Sequence, residues 1–157
     1  MTELADLERR LRRIEDERAI ERMIASYGPL VDAGEADAAA DLWAEDGSYD
    51  VEGWHMAGRD EVAAMVRSGA HQGLIRRGCC HFLGPAVVTV DGDEAVAICD
   101  SVLVTRHDDG FAVSRAGANH FRLRRSDGRW AIIERRSRQL DGSAEARELL
   151  ADGITPG

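Results

Sequence analysis

Residues 79–140 read CCHFLGPAVVTVDGDEAVAICDSVLVTRHDDGFAVSRAGANHFRLRRSDGRWAIIERRSRQL. Three Asp-Gly turns, DGD at 91–93, DDG at 108–110 and SDG at 126–128, divide this stretch into strand-like runs. An Asp-Gly pair between apolar, β-branched runs is a strong hairpin signal, because it supplies the positive φ that a tight turn needs. The spacing predicts a four-stranded antiparallel meander over 79–90, 94–107, 111–125 and 129–140.

The chain before the meander reads differently. Leu4, Leu7, Leu11 and Ile14 recur at spacings of three and four. Ile20, Met23, Ile24, Tyr27 and Val31 continue that stripe with a small phase shift. This is the pattern of a long amphipathic helix, or of two in line, with Arg, Glu and Asp on the wet face. Pro29 lacks a backbone donor and disfavours helical geometry at Gly28, so a kink or an end is expected there. EADAAADLWAED (35–46) reads as a short second helix, and SYDVEGWHMAG (48–58) as a strand pair or bent strand. RDEVAAMVRSGAHQGLIRRG (59–78) reads as a third helix with Val62, Met65 and Val66 facing inward. The tail DGSAEARELLADGITPG (141–157) reads as a loose helix and a disordered end.

Helices and strands are segregated along the chain, which predicts an α+β fold with helices packed on one face of a sheet. No internal repeat, linker or low-complexity tract interrupts 1–157, so one domain is expected. Its core spans about 15–141, with a charged N-terminal helical extension. At 157 residues, roughly 70% of the unfolded surface can be buried, enough for a core and a modest pocket.

The net charge of −9 argues against nucleic acid as a partner, since such binding depends on neutralising phosphates. The basic run FRLRRSDGRWAIIERRSRQ (121–139) fits a solvated or subunit-contacting strand face. No apolar run approaches the roughly 18–20 residues of a membrane helix, and the charged start MTELADLERRLRRIEDER has no apolar signal region. Cys79, Cys80 and Cys99 form no disulfide framework and read as buried thiols of a reducing cytoplasm.

Asp32 stands out. It follows directly on the apolar Tyr27, Leu30 and Val31, and a carboxylate at the margin of a buried face needs a partner. Of the five histidines, His55, His71 and His107 read as surface or turn residues. His120 lies on the strand face opposite Phe121 and Leu123, looking outward or into a subunit contact. His81 opens the meander in an apolar setting. No zinc spacing, nucleophile elbow, Walker sequence or dinucleotide fingerprint is present, so no metal or cofactor is expected. Acid–base chemistry and plain ligand binding remain.

The order of elements, the stretch YGPLVDAGEADAAADLWAEDGSYDVEG (27–53) and the step MAGRDEVAAMV (56–66) resemble the SnoaL-like branch of the nuclear transport factor 2-like superfamily. The likeness runs from about Ala19 to Leu140 and rests on order and spacing rather than on one motif. It implies a cone-shaped fold, in which a curved antiparallel sheet wraps the N-terminal helices and encloses a pocket. The pattern is similar to the group containing scytalone dehydratase, hexachlorocyclohexane dehydrochlorinase and bile-acid 7α-dehydratase. There, an Asp ending the first long helix works with a His opening the first long strand. Asp32 and His81 match those positions. Tyr27 matches the helix tyrosine of the bile-acid enzyme. Arg135 matches the final-strand arginine of the dehydrochlorinase, with Arg136 one residue away. Tyr49 and His120 are the available matches for the second tyrosine and second histidine of scytalone dehydratase.

What the resemblance implies is a small-molecule lyase acting on a hydrophobic cyclic or steroid- or polyketide-like substrate. Its catalytic set would be Asp32, His81, Tyr27 and Arg135. A ketosteroid-isomerase-like isomerase, a polyketide cyclase, and a non-catalytic binding or assembly module share the fold and stay open. Strand parity sets Ala131, Ile133, Arg135 and Ser137 on one face and Trp130, Ile132, Glu134 and Arg136 on the other. The small and apolar neighbours of Arg135 on that face suit a pocket wall; two surface cations paired with Glu134 or a neighbouring subunit stay open as the alternative. Relatives form dimers or trimers, so a homo-oligomer is expected, with Trp130, Ile132 and Val102 on outward faces available for contact.

Overall fold

The structure, a computed structural model, describes residues 2–154. Helix α1 (Glu3–Asp32) leads through a short α2 (Ala36–Ala40) to the hairpin β1 (Trp43–Val51) and β2 (Trp54–Ala57). Helices α3 (Arg59–Arg67) and α4 (Gly69–Arg77) follow. Then come β3 (Cys79–Leu83), β4 (Val87–Asp91), β5 (Glu94–His107), β6 (Gly110–Ser126), β7 (Arg129–Gln139) and α5 (Ala144–Ala151). The strands form one curved seven-stranded sheet in the order β2-β1-β7-β6-β5-β3, with β4 also on β5. Among the described residues, every strand pairing is antiparallel except β1 with β7, which is parallel. This is the expected α+β architecture, with α1 laid along the concave side of the sheet.

The three Asp-Gly turns close the β4–β5, β5–β6 and β6–β7 hairpins. The run 79–90 is not one strand, however. It breaks at Gly84-Pro85-Ala86 into β3 and β4, which pair with different parts of β5. Pro85 has no N–H for the ladder, and the break lets the strand line bend.

The inner core joins Ile20, Ile24 and Val31 of α1 to Trp43, Val62, Val66, Phe121, Leu123 and Ile132. Helix α1 does not end at Pro29 but continues to Asp32. Proline there forfeits only the bond to the Ala25 carbonyl, while its own carbonyl still accepts the Ala33 N–H at 2.9 Å. The apolar stripe is also not continuous. Leu4, Leu7, Leu11 and Ile14 are 51–66% exposed. At 3.6 residues per turn their mean direction lies about 150° from that of Ile20, Ile24, Tyr27 and Val31. The first half of α1 therefore turns its apolar residues away from the body. Replacing both Leu7 and Leu11 with glutamate should leave the melting temperature of a dilute sample within about 2 °C, since such surface changes usually stay within about 0.5 kcal/mol. A large fall, read by circular dichroism, would show that these residues support the fold.

Four further expectations are corrected. The segment 35–46 leaves the helix at Ala40 and pairs as strand from Trp43, whose side chain is fully buried beside β7. The segment 59–78 is two helices, divided at Ser68, whose extended backbone ends α3 and caps α4. Helix α5 is docked rather than loose, burying Ala146 and Leu149 against Ala118 on the outer sheet face; the expected disordered end at 155–157 lies outside the described residues. Of the three thiols only Cys99 is buried, and Cys80 is exposed. Among the described residues, no helix is long and apolar enough to cross a membrane.

Candidate active site

The site begins with a close approach. Helix α1 and β3 meet at Gly28, where a side-chain Cβ would stand 2.0 Å from the His81 carbonyl oxygen. Only a residue without Cβ lets the strand lie this near the helix, and the approach carries Asp32, one turn on, to the start of β3. Asp32 Oδ2 accepts the His81 backbone N–H at 2.9 Å, and Oδ1 accepts the ring Nδ1–H at 2.6 Å. The Cys79 thiol donates to Oδ1 at 3.5 Å. Both dyad side chains are about four-fifths shielded, 19% exposed for His81 and 22% for Asp32. The carboxylate is tolerated at this margin because three donors converge on it.

With Nδ1–H held by the carboxylate, the ring keeps its lone pair on Nε2. His81 lines a cavity of about 620 Å³, counting its open mouth, whose wall is mostly aromatic and aliphatic. Burial pushes the His81 pKa below its ordinary 6.5, against the pull of Asp32, with His71 and Arg135 adding to the depression. A neutral imidazole with an unengaged Nε2 is the arrangement a general base requires.

Tyr27 reaches the cavity directly, whereas Asp32, about 140° further round the helix, stands behind His81. Burial raises the Tyr27 pKa far above 10, reinforced by Tyr49 and opposed by Arg135, so its hydroxyl stays protonated. Arg135 is 2% exposed and stands over the rings of Tyr27, Tyr49 and Phe121 at 4.3, 4.4 and 5.1 Å. Its Nε and Nη2 donate to Asn119 Oδ1 at 3.1 and 2.8 Å, while Nη1 is buried with no hydrogen-bond partner. An aromatic box holds a guanidinium well, but an unpaired buried N–H is costly unless something enters to accept it.

Arg135 arrives in the cavity by a route that simple parity misses. Arg122 pairs with Glu134 and Leu123 with Ile132, so Ile133 is an extra, bulged residue. A bulge reverses the alternation beyond it. Trp130 and Ile132 therefore face the core ahead of the bulge, and Arg135 and Ser137 face it afterwards. This overturns the outward placement of Trp130 and Ile132; Val102 is half-buried at the cavity rim. Arg136 lies outside, within 3.8 Å of Glu145.

Tyr49 lines the cavity beside Arg135, its register partner. His120 faces outward, half-buried, and His55 and His107 are exposed. His71, expected at the surface, is instead buried: it is 6% exposed, bonds the Val31 carbonyl through Nε2 at 3.0 Å, and stacks on His81. Recognising Ser68 as a cap would have placed His71 in the first turn of a separate helix. Asn119, which orients Arg135, carried no sequence signal. The donor atoms of Asp32, Cys79 and His81 lie within 4.8 Å of one another. In the structure Cys79 and His81 both donate to Asp32, and burial with the Asp32 charge pushes the Cys79 thiol up to about 11. That favours a protonated donor over a thiolate ligand.

The description of the SnoaL-like domain family matches residues 12–136. Among solved structures, a nuclear transport factor 2-like protein of cystatin-like fold from Novosphingobium aromaticivorans is 45% identical. The match covers 96% of this chain and 98% of that one, with a TM-score of 0.92. A candidate scytalone dehydratase from the same organism is 21% identical over 81% of this chain and 85% of that one, with a TM-score of 0.69. A Catenulispora acidiphila protein solved in complex with S-DNPA is 18% identical over 78% and 91%, with a TM-score of 0.67. The last two share the fold. No curated protein matches the sequence.

Proposed function

The chain belongs to the SnoaL-like domain family of the nuclear transport factor 2-like superfamily, and on that premise we propose that it is a small-molecule lyase that performs a β-elimination on an apolar ring compound. The observation that carries this reading is the 2.6 Å hydrogen bond from His81 Nδ1 to Asp32, which leaves Nε2 turned to a largely apolar cavity. His81 Nε2 removes a proton from carbon beside an activating oxygen. The C–H electrons form the new double bond, and the β-substituent departs. A hydroxyl leaves as water with the proton returned from the imidazolium; a halide leaves alone, and the imidazolium then loses its proton to solvent. Asp32 steadies the imidazolium charge. Tyr27 O–H and Arg135 Nη1 donate to the oxygen that gains negative charge, each worth about 2–4 kcal/mol by analogy with single oxyanion donors.

The cavity wall supports the substrate class. Tyr27, Tyr49, Met56, Met65 and Leu83 offer apolar surface, and Trp54, 57% exposed, stands at the mouth where a flat ring can pass or stack. A dimer or trimer is the expected assembly, with Phe82, Phe111 and Val113 left exposed on the chain.

The test is a panel of hydroxylated and halogenated alicyclic and steroid-like ketones, read for water loss by mass or for halide release. Release that requires His81 supports the lyase. Isomer formation without release converts the reading to an isomerase, and tight binding with neither leaves a binding module. The pH profile is a further prediction. His81 must be neutral to act, and its pKa is depressed, so kcat/KM should hold through pH 6.5 and fall tenfold per unit only at lower pH. Stability follows the same sign: the contribution of neutral His81 is complete above 6.5 and is lost as pH falls through the folded-state value. An acid limb above 6.5 would contradict a base in this setting.

A further inference from the structure

We infer that His71 is a positioning residue that sets both members of the Asp32–His81 pair; this rests on the elimination reading only for its consequence in catalysis. Its backbone N–H is donated to Ser68 Oγ at 3.3 Å, which fixes the first turn of α4 beneath the site. A carbonyl can only accept, so the 3.0 Å contact to Val31 O puts the His71 proton on Nε2. Val31 is the residue before Asp32. The other contact is to the base itself: the His71 and His81 rings stack with centroids 5.3 Å apart and planes 29° from parallel. One imidazole thus grips the helix turn that carries the carboxylate and backs the flat face of the ring that the carboxylate orients.

A buried histidine bonded to a nearby carbonyl is ordinarily a filled core position, and the Val31 contact alone would say no more. The stack is what distinguishes this one. His81 cannot turn about its side-chain bond without leaving the His71 ring, so its Nδ1–H is kept on Asp32 and its Nε2 on the cavity. The charged and titratable groups facing His81 are Asp32, Cys79, Arg135 and His71. A proton on either ring of the stack opposes a proton on the other, which agrees with the contribution of His71 to the depressed His81 pKa.

Two full-chain variants separate the contacts. His71→Phe keeps a ring against His81 and removes the donor to Val31; His71→Gln keeps a donor and removes the ring. Nitrogen-15 imidazole NMR reads the His81 tautomer and titration without any substrate, so failure here is distinguishable from failure of the elimination reading. In the wild type, His81 is expected to hold its proton on Nδ1 and to titrate below 6.5. In His71→Gln the Nδ1–H should exchange with solvent about tenfold faster, the effect of one weakened hydrogen bond. Its nitrogen shifts should move toward the tautomeric average. The His81 midpoint should rise in both variants. Folded variants with unchanged tautomer, exchange and midpoint would overturn the inference. Should the variants not fold, the wild type still decides: the His71 proton is expected on Nε2, with ring-to-ring nuclear Overhauser contacts to His81, and a His71 proton on Nδ1 or the absence of those contacts would overturn it.

Discussion

Asp32→Asn is expected to lower turnover by about 10³–10⁴-fold while the chain still folds. The magnitude is that of an orienting carboxylate replaced by its amide, where the imidazole settles into the wrong tautomer. In this site the reason is specific. Two N–H donors of His81 reach Asp32, the backbone N–H and the ring Nδ1–H, one to each oxygen, beside the weaker Cys79 thiol. An amide has one oxygen, so an NH₂ must face one of them. The backbone N–H cannot move without shifting β3, whereas the ring can shed its Nδ1 proton and carry it on Nε2. That tautomer accepts from the amide and has lost its base on the cavity side. Stability should fall by about 1–3 kcal/mol, the range for a shielded donor left without its acceptor. Steady-state kinetics beside a urea melt would check both. Retention of more than a tenth of wild-type turnover would mean that the carboxylate does not hold the base.

Gly28→Ala should be the most destabilising single-methyl change in the site. Two effects oppose each other. Alanine is the better helix former by about 1 kcal/mol, and the backbone at position 28 is helical. Against that, the new Cβ would meet the His81 carbonyl oxygen at 2.0 Å and its carbon at 3.2 Å. Both are backbone atoms, so no side chain can swing aside and β3 itself must withdraw. Overpacking costs about 1–3 kcal/mol. The withdrawal also stretches the charge-assisted bonds to Asp32, worth about 1.5–3 kcal/mol each. The steric side wins, with a net loss of about 3 kcal/mol. For a chain of this size that is a fall of about 6–12 °C in Tm. A thermal melt checks it, and an unchanged or higher Tm would mean that helix and strand are not in contact at this point.

The parts of this fold that local chemistry decides were legible in the sequence. Asp-Gly turns at 91–93, 108–110 and 126–128 mark hairpins because they fix the backbone by themselves, whatever surrounds them. Decisions made by packing were not legible. The spacing of Leu4, Leu7, Leu11 and Ile14 reports an apolar helix face, but not whether the body reaches that face. Strand parity at 129–139 holds only while the ladder is regular, and the bulge at Ile133 changes which residues point inward. The polar neighbours of His71 disguised a buried ring, and α5 shows its docked face only once the outer side of β6 is in place. The meeting of Asp32 with His81, 49 residues apart, lay in the resemblance and in no local spacing. Arg135 could be nominated from sequence, but its orphaned Nη1 depends on Asn119 being the acceptor for the other two nitrogens.

The most direct test of the central claim is to follow a bound cyclic ketone in deuterium oxide by NMR, with the wild-type chain and with His81→Gln. A base at Nε2 predicts that the wild type breaks one carbon–hydrogen bond beside the activating oxygen and releases one equivalent of water or halide. The variant should bind the same ligand and do neither. Ligand bound in the cavity with no exchange of that hydrogen and no release, or equal rates in the two proteins, would contradict the account.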